Sequence, residues 1–163
     1  MYHMRRTDKE ILDPTEQIIP LREAQFITLA LCIGNEPYLV TLNHGFDEKA
    51  NCLYFHCAQE GKKIDILKAN PVVWGQALID LGYQQGRCDH LFYSTHFKGR
   101  VTFLNSVSEK THALQVLVHH IEPNPQEIID KQVKPSSIEK VRIGRIDLEY
   151  MSCKKADKII TTL

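Results

Sequence analysis

Residues 37–71 of the chain read PYLVTLNHGFDEKANCLYFHCAQEGKKIDILKANP. Apolar and polar side chains alternate over 38–46 and again over 52–58, which predicts two β-strands separated by a polar loop. A turn with two lysines follows at 60–63, and the apolar spacing behind it predicts a short helix that ends at the Asn-Pro pair. The segment therefore predicts strand, loop, strand, basic turn and helix in that order.

The polar side chains of these two strands fall on one face of each strand, because neighbouring side chains alternate between faces. Thr41 and Asn43 share a face of the first strand. Tyr54, His56 and Ala58 share a face of the second strand. Pairing of the two strands is expected to bring a hydroxyl, an amide and an imidazole together on one surface.

Lys62 and Lys63 lie where the predicted helix begins. Backbone N–H groups at a helix N-terminus, together with ammonium groups, attract a phosphate. A solvated turn is the commonest role of such a lysine pair. Beside a polar sheet surface, however, the pair indicates a planar cofactor that carries a phosphate.

The run LYFHCAQEGKKIDILKANPVV at 53–73 resembles the second-strand signature of the pyridoxamine phosphate oxidase-like flavoproteins, and in particular their nitroimidazole-resistance branch. That branch shows Tyr-Phe-His, a small residue and Ala, then Gly-basic-Lys and a helix that ends in Asn-Pro. The segments MRRTDKEI at 4–11 and PYLVTLNHGFD at 37–47 resemble it as well. The resemblance implies a mainly β chain with peripheral helices, folded as an antiparallel FMN-binding split β-barrel. It also implies a homodimer with the flavin at the subunit interface.

The resemblance assigns roles to individual residues. Thr41 and Asn43 are expected to meet the edge of the isoalloxazine ring, and the lysine pair to hold the phosphate. The implied cofactor-binding residues are Thr41, Asn43, Tyr54, His56, Cys57, Ala58, Lys62, Lys63 and Ser94. The implied cofactor is FMN, with FAD as the alternative flavin. Cys57 replaces the Ser or Gly that is usual in the family.

One position departs from the family pattern. The family often has Tyr-Arg-Ser where this chain has Phe92-Tyr93-Ser94. An arginine that would anchor an anionic substrate is therefore missing, and neutral aromatic acceptors are expected in preference to phosphorylated substrates.

The implied function is that of a flavin-dependent oxidoreductase, which reduces a small aromatic acceptor, a nitro compound or a quinone, with a nicotinamide donor. His56 is the candidate catalytic residue and proton donor, because imidazole titrates near neutral pH. A packed, structural His56 is an equal alternative. The rival function is non-enzymatic: a flavin or haem carrier, or a redox sensor, for which His44, His56 and His96 are available.

Cysteine and histidine residues suggest two further sites. Cys52 and Cys57 point to opposite faces of a regular strand and no Cys-x-x-Cys motif is present, so no metal site is predicted. Cys88 lies between Arg87 and His90, which lower the pKa of a neighbouring thiol when they are close to it. A loop cysteine without a role is the more frequent case.

Length and composition limit the remaining possibilities. A chain of 163 residues predicts a single flavin-binding domain over 1–163. Zero formal net charge argues against nucleic-acid partners, and the apolar runs are too short to cross a bilayer. Five cysteines and a charged N-terminus favour reduced thiols in the cytoplasm. The expected partners are a second copy of the chain and a small-molecule substrate.

The flanking segments predict a β-rich chain. Residues 26–33 are expected to pair with 38–46 as a hairpin across Gly34-Asn35-Glu36-Pro37. Residues 72–79 read as a buried strand that carries the only tryptophan, Trp74.

Residues 91–104 are expected to form a long strand. Two further features are expected after it. Ser106 and Glu109 form a capping box before an amphipathic helix. In the final strand, over 141–153, the apolar phase shifts at Gly144-Arg145, which predicts a β-bulge.

Overall fold

The structure is a computed structural model that describes residues 4–157. It contains one antiparallel sheet surrounded by helices. The strands are β1 (Glu10–Ile11), β2 (Ile27–Ile33), β3 (Glu36–Leu42), β4 (Gly45–Asp47), β5 (Cys52–Cys57), β6 (Val72–Gln84), β7 (Asp89–Phe103) and β8 (Arg142–Ala156). The helices are α1 (Pro14–Gln17), α2 (Ile19–Glu23), α3 (Lys62–Ala69), α4 (Val107–Ile121), α5 (Pro125–Gln132) and α6 (Pro135–Ile138), after a 3₁₀ turn at Thr7–Lys9. The mainly β, antiparallel class with peripheral helices is confirmed.

The sheet closes on itself. Its strand order is β3-β2-β6-β7-β8-β5-β4, and β1 pairs with β8. β3 and β4 lie at opposite ends of this order, yet only Asn43 and His44 separate them along the chain. The two ends of the sheet therefore meet, and the sheet curls into a barrel. Because β4 pairs only with 52–54 of β5, residues 55–57 face the β3 edge across an opening, which we call the seam.

The expected strand over 38–46 is divided into β3 and β4, so the prediction of one continuous strand was wrong. β3 forms the expected hairpin with β2, from Ile27 opposite Leu42 to Ile33 opposite Glu36. β4 pairs with β5 instead. β4 also packs closely against α4, because a β-carbon on Gly45 would lie 2.8 Å from the backbone nitrogen of Leu117.

Two apolar clusters hold the barrel and its helices together. The barrel interior contains Leu29, Leu53, Phe55, Phe97 and Ile146, all fully buried. The second cluster lies between β5, β8 and α4, and contains Cys52, Tyr54, Leu104, Ala113, Leu117 and Ile143. Burial of such side chains supplies most of the free energy that stabilises a fold. Both faces of β5 are therefore covered, one by the barrel and the other by α4.

Two expectations about strands were wrong. β6 is longer than 72–79, and Trp74 is 48% exposed, because only one face of β6 lines the barrel. The pairing of β7 with β8 is regular at Gly144-Arg145, so no bulge occurs there. The register shifts further along β8, at the part of that strand that pairs with Lys98 and Gly99 of β7. The apolar phase shift arises because Ile143 packs against α4 and Ile146 packs in the barrel.

The longest helix begins as expected. The Ser106 side chain accepts a hydrogen bond from the Glu109 amide at 3.5 Å and caps α4. None of the helices in the described part of the chain has the length and apolar character that a bilayer crossing requires.

Candidate functional site

The N-terminus of α3 lies beside the seam. Gly61 precedes the helix with a φ of 136°, in the region that favours glycine. Its carbonyl oxygen accepts hydrogen bonds from the amides of Ile64 and Asp65. The amides of Lys62 and Lys63, in the first turn, therefore have no hydrogen-bond partner within the helix. The expected helix over 62–69 is confirmed, with Ile64, Ile66 and Leu67 buried.

Lys62 connects α3 to β3 across the seam. Its Nζ lies 3.4 Å from Oε1 of Glu36 and 4.8 Å from the centroid of the Tyr38 ring. The side chain remains 58% exposed, so its ammonium group is accessible to a ligand. The Glu36 pair is correspondingly weak.

Lys63 and Arg142 are both close enough to Cys57 for their charges to act on its thiol. Burial raises the pKa of the Cys57 thiol, and the positive charges of Lys63 and Arg142 oppose that shift. Arg142 begins β8 and is directly opposite Cys57 in the strand pairing. Lys62, Lys63 and Arg142 therefore form a group of three cations at the α3 end of the barrel, which we call the basic cluster.

One hydrogen-bond donor of the Arg142 guanidinium has no acceptor. Its Nε is buried and has no partner within residues 4–157, while the guanidinium carbon lies 5.1 Å from the Phe103 ring centroid. A buried N–H without an acceptor is costly, and an anionic oxygen is the strongest acceptor for it. The basic cluster therefore fits a phosphate group. No local sequence signal identifies Arg142 as a site residue, because only the long-range pairing of β5 with β8 brings it to Cys57.

The predicted polar face is not assembled as expected. The Thr41 hydroxyl lies 3.1 Å from that of Thr28 on β2, and the Asn43 amide donates to the Gln25 carbonyl at 3.4 Å. These side chains therefore meet β2 and the segment before it. They do not pair with His56, because β3 and β5 are not hydrogen-bonded neighbours.

The three residues that were predicted to share one face of β5 lie in different surroundings. Tyr54 is 4% exposed and packs under α4, with its ring centroid 6.0 Å from that of His112. His56 is exposed, and its ring has no hydrogen-bond partner in the described chain. Ala58 follows β5 and is exposed. Of this predicted face, His56 and Ala58 are accessible to a ligand and Tyr54 is not.

Thr41 and Ser94 do share a surface, the outer face of the sheet. We define the outer face by one side of β3, β2, β6 and β7. Strand pairing aligns on it Leu39, Thr41, Thr28, Ala30, Trp74, Gln76, Leu78, Ser94 and His96. Ser94 itself is buried, whereas Leu39 is 66% and Trp74 and Leu78 are each 48% exposed. An exposed apolar patch of this kind indicates an interaction surface.

Tyr93 does not lie on the outer face. Its hydroxyl donates to the Glu16 carbonyl at 2.6 Å, and its ring is 5% exposed. Desolvation by burial raises its pKa to about 12. Tyr93, which stands where the family has arginine, therefore attaches α1 to the barrel. The replacement does not alter the outer face. The expected preference for neutral acceptors over phosphorylated substrates cannot rest on this position.

The remaining candidate residues, His44 and Cys88, lie in structural surroundings. His44 is fully buried, and its Nε2 donates to the Leu21 carbonyl at 2.9 Å. Its enclosure removes it as a haem ligand. Cys88 is exposed with a φ of 49°, and His90 instead contacts Asp80 at 2.7 Å. Within residues 4–157, no three His, Cys, Asp or Glu side chains are placed to hold a metal ion.

Comparison with known proteins identifies the architecture. A family model described as pyridoxamine 5′-phosphate oxidase matches residues 15–155. A proposed 5-nitroimidazole antibiotic resistance protein of Bacteroides thetaiotaomicron superposes with a TM-score of 0.72 at 21% identity, covering 94% of this chain and 95% of that chain. The FAD and haem binding protein of Mycobacterium smegmatis superposes with a TM-score of 0.78 at 12% identity, covering 95% and 77%.

A third solved structure is more similar in sequence. The FAD-binding protein of Mesorhizobium loti has a TM-score of 0.63 at 25% identity, covering 90% of this chain and 96% of that chain. No curated protein sequence matches the chain. The superpositions and the closed sheet order together confirm the split-barrel fold.

Proposed function

Because the chain belongs to the pyridoxamine 5′-phosphate oxidase family, we propose that it is a cytoplasmic flavoprotein. It binds FMN, with FAD as the alternative, and reduces a small aromatic acceptor such as a nitro compound or a quinone with electrons from a nicotinamide donor. A bound flavin supplies the hydride and electron transfer, and the protein supplies binding, orientation and electrostatics.

One observation carries the cofactor proposal: the buried, unpartnered Nε of Arg142 within the basic cluster. Lys62 contributes an exposed ammonium group, Lys63 a half-buried one, and both contribute the free amides of the α3 N-terminus. These groups hold the flavin phosphate. The solved relatives support this reading, since two of them are FAD-binding by their descriptions.

The other proposed contacts follow the seam. Thr41 and Asn43, at the end of β3, meet the ring edge, and Cys57 and Ala58 contribute backbone groups from the opposite side of the seam. Ser94 lies further along the outer face. Tyr54 acts through packing, because it is buried under α4.

The exposed patch on the outer face supports the proposal of a homodimer. Leu39, Trp74 and Leu78 are too exposed for a surface without a partner, and a two-fold axis would cover two such faces at once. A dimer also protects the open edge of β3 at the seam. The flavin then lies at the interface between the two copies.

The absorption spectrum of the purified protein and anaerobic stopped-flow test this function. The proposal expects flavin absorption bands, bleaching by NADH or NADPH, and recovery on addition of menadione or a nitroimidazole. Bleaching by dithionite but by neither nicotinamide would contradict the oxidoreductase and favour a flavin carrier.

Haem carriage is the second candidate, because the relative from Mycobacterium smegmatis is described as binding both FAD and haem. His96 is the histidine that remains available on the outer face, since His44 is enclosed. A Soret band in the purified protein, lost in His96→Ala, would favour this reading.

A further inference from the structure

A cavity of about 280 Å³ lies outside the barrel, between β5 and the helices that follow β7. The apolar side chains of α4 and α5, among them Leu114, Val118 and Ile128, form most of its wall. A dry cavity of about 150 Å³ lined by aliphatic side chains accepts benzene in another protein. This cavity is therefore large enough for an aromatic ring with substituents.

Four polar residues line the cavity: His56, Glu122, Gln132 and Ser137. None of them makes a side-chain hydrogen bond or ion pair within residues 4–157. An imidazole and an amide can each donate a hydrogen bond to a nitro or carbonyl oxygen. The carboxylate disfavours an anionic ligand by like-charge repulsion.

The helix that covers the cavity is incompletely packed. α5 has no buried residue, and Ile128 is only half-buried although it faces the cavity. A flat apolar molecule between Ile128 and Val118 would remove this remaining apolar surface from water, which stabilises the bound state. The arrangement is typical of small-molecule sites, which combine apolar walls with a few convergent polar groups.

We propose that this cavity binds a small aromatic molecule that carries a hydrogen-bond acceptor and no negative charge, and that His56 donates a hydrogen bond to that acceptor. His56 immediately precedes Cys57 and Ala58, whose backbone groups are proposed to contact the flavin ring. The cavity is therefore the acceptor site of the oxidoreductase. This last role rests on the proposed function, whereas the choice of ligand rests on the cavity alone.

The binding test uses three matched probes, nitrobenzene, 4-nitrobenzoate and 4-nitrobenzylammonium, with the purified full-length protein. NMR titration follows the histidine side-chain resonances, and His56→Gln assigns the signal of His56. We expect nitrobenzene to shift the His56 resonance and to bind about tenfold more tightly than the benzoate. No shift at saturating nitrobenzene, or binding of 4-nitrobenzoate as tight as that of either other probe, would overturn the proposal.

Matched substitutions locate the site. Val118→Phe fills the cavity and is expected to weaken nitrobenzene binding at least about tenfold. Val107→Phe, on the exposed first turn of the same helix, should leave binding unchanged. Glu122→Gln does not depend on core packing, and it should strengthen 4-nitrobenzoate binding without changing that of nitrobenzene. Insensitivity of the benzoate to Glu122→Gln would contradict the assigned role of the carboxylate.

Kinetics with the same variants separate this inference from the proposed function. Binding of nitrobenzene without nicotinamide-driven bleaching of the flavin would refute the oxidoreductase and leave the cavity site intact. Turnover of menadione with an unchanged KM in folded Val118→Phe would refute the acceptor site and leave the oxidoreductase intact.

Discussion

At the scale of single residues, His44 links the fold to pH. Desolvation by burial and the charge of His120 lower its pKa from 6.5 to about 4. The ring centroids of these two histidines are 4.3 Å apart, and His120 contacts the Ala24 carbonyl at 2.9 Å. The folded state therefore requires neutral His44, and its contribution to stability is complete above pH 6.5 and is lost as the pH falls towards 4.

The depressed pKa of His44 predicts a loss of about 3 kcal/mol in the free energy of unfolding across this pH range, at about 1.4 kcal/mol per pKa unit. His44→Gln keeps a donor for the Leu21 carbonyl and removes the titration. Urea unfolding between pH 7 and 4.5 should give a flatter pH dependence for this variant than for the wild type. His119→Gln, at an exposed position, should retain the wild-type profile. Parallel profiles for His44→Gln and the wild type would exclude this source of pH dependence.

Arg142 allows a second prediction at this scale. Arg142→Met should weaken FMN binding about tenfold, the usual value of one charge-assisted hydrogen bond, and leave riboflavin binding unchanged. Fluorescence titration of the flavin-free protein measures both affinities. Arg87→Met, at an exposed loop position, serves as the control. Equal losses for FMN and riboflavin would indicate damage to the fold and no contact with the phosphate.

At the scale of elements, the packing residues of α3 are different from the lysines that are proposed to bind phosphate. Ile64, Ile66 and Leu67 are buried, whereas the two lysines of its first turn reach the seam. Because the binding groups are not the packing groups, they can be removed without loss of the helix.

Lys62→Ala combined with Lys63→Ala should therefore remove most of the bound flavin from a folded protein. The retained flavin is measured by absorbance after gel filtration, and folding by circular dichroism. Lys68→Ala, in the last turn of α3, is the matched control. Full flavin retention by the double variant at moderate salt would rule out the phosphate contact.

At the scale of the whole molecule, the outer face predicts the assembly. Analytical ultracentrifugation at micromolar concentration should show a dimer for the wild type and a monomer for Leu78→Glu, because a buried unpaired carboxylate is costly. The monomer should also lose flavin. Leu12→Glu, at a position 75% exposed and outside this face, should remain dimeric. A monomeric wild type that still binds flavin would count against a site at the interface.

Local pattern predicted much of the structure. The β2–β3 hairpin, β5 and α3 follow from alternation and turn residues within short segments. Local pattern did not predict the division of the expected strand at His44, which involves contacts with α4. It did not predict the position of Arg142 either, which depends on the pairing of β5 with β8. Trp74 was misjudged because apolar content cannot distinguish the interior of a barrel from its outer face.

The central place of β8 in the sheet also constrains the order of folding. β8 pairs with β7, with β5 and with β1, although it is synthesised after all of them. During translation, β5 therefore lacks its main neighbour until residues 142–147 have left the ribosome. Contacts between such distant segments slow folding and leave strand edges open in the meantime. Because α4 packs against β5 and is synthesised before β8, we expect α4 to shelter β5 from aggregation in the meantime.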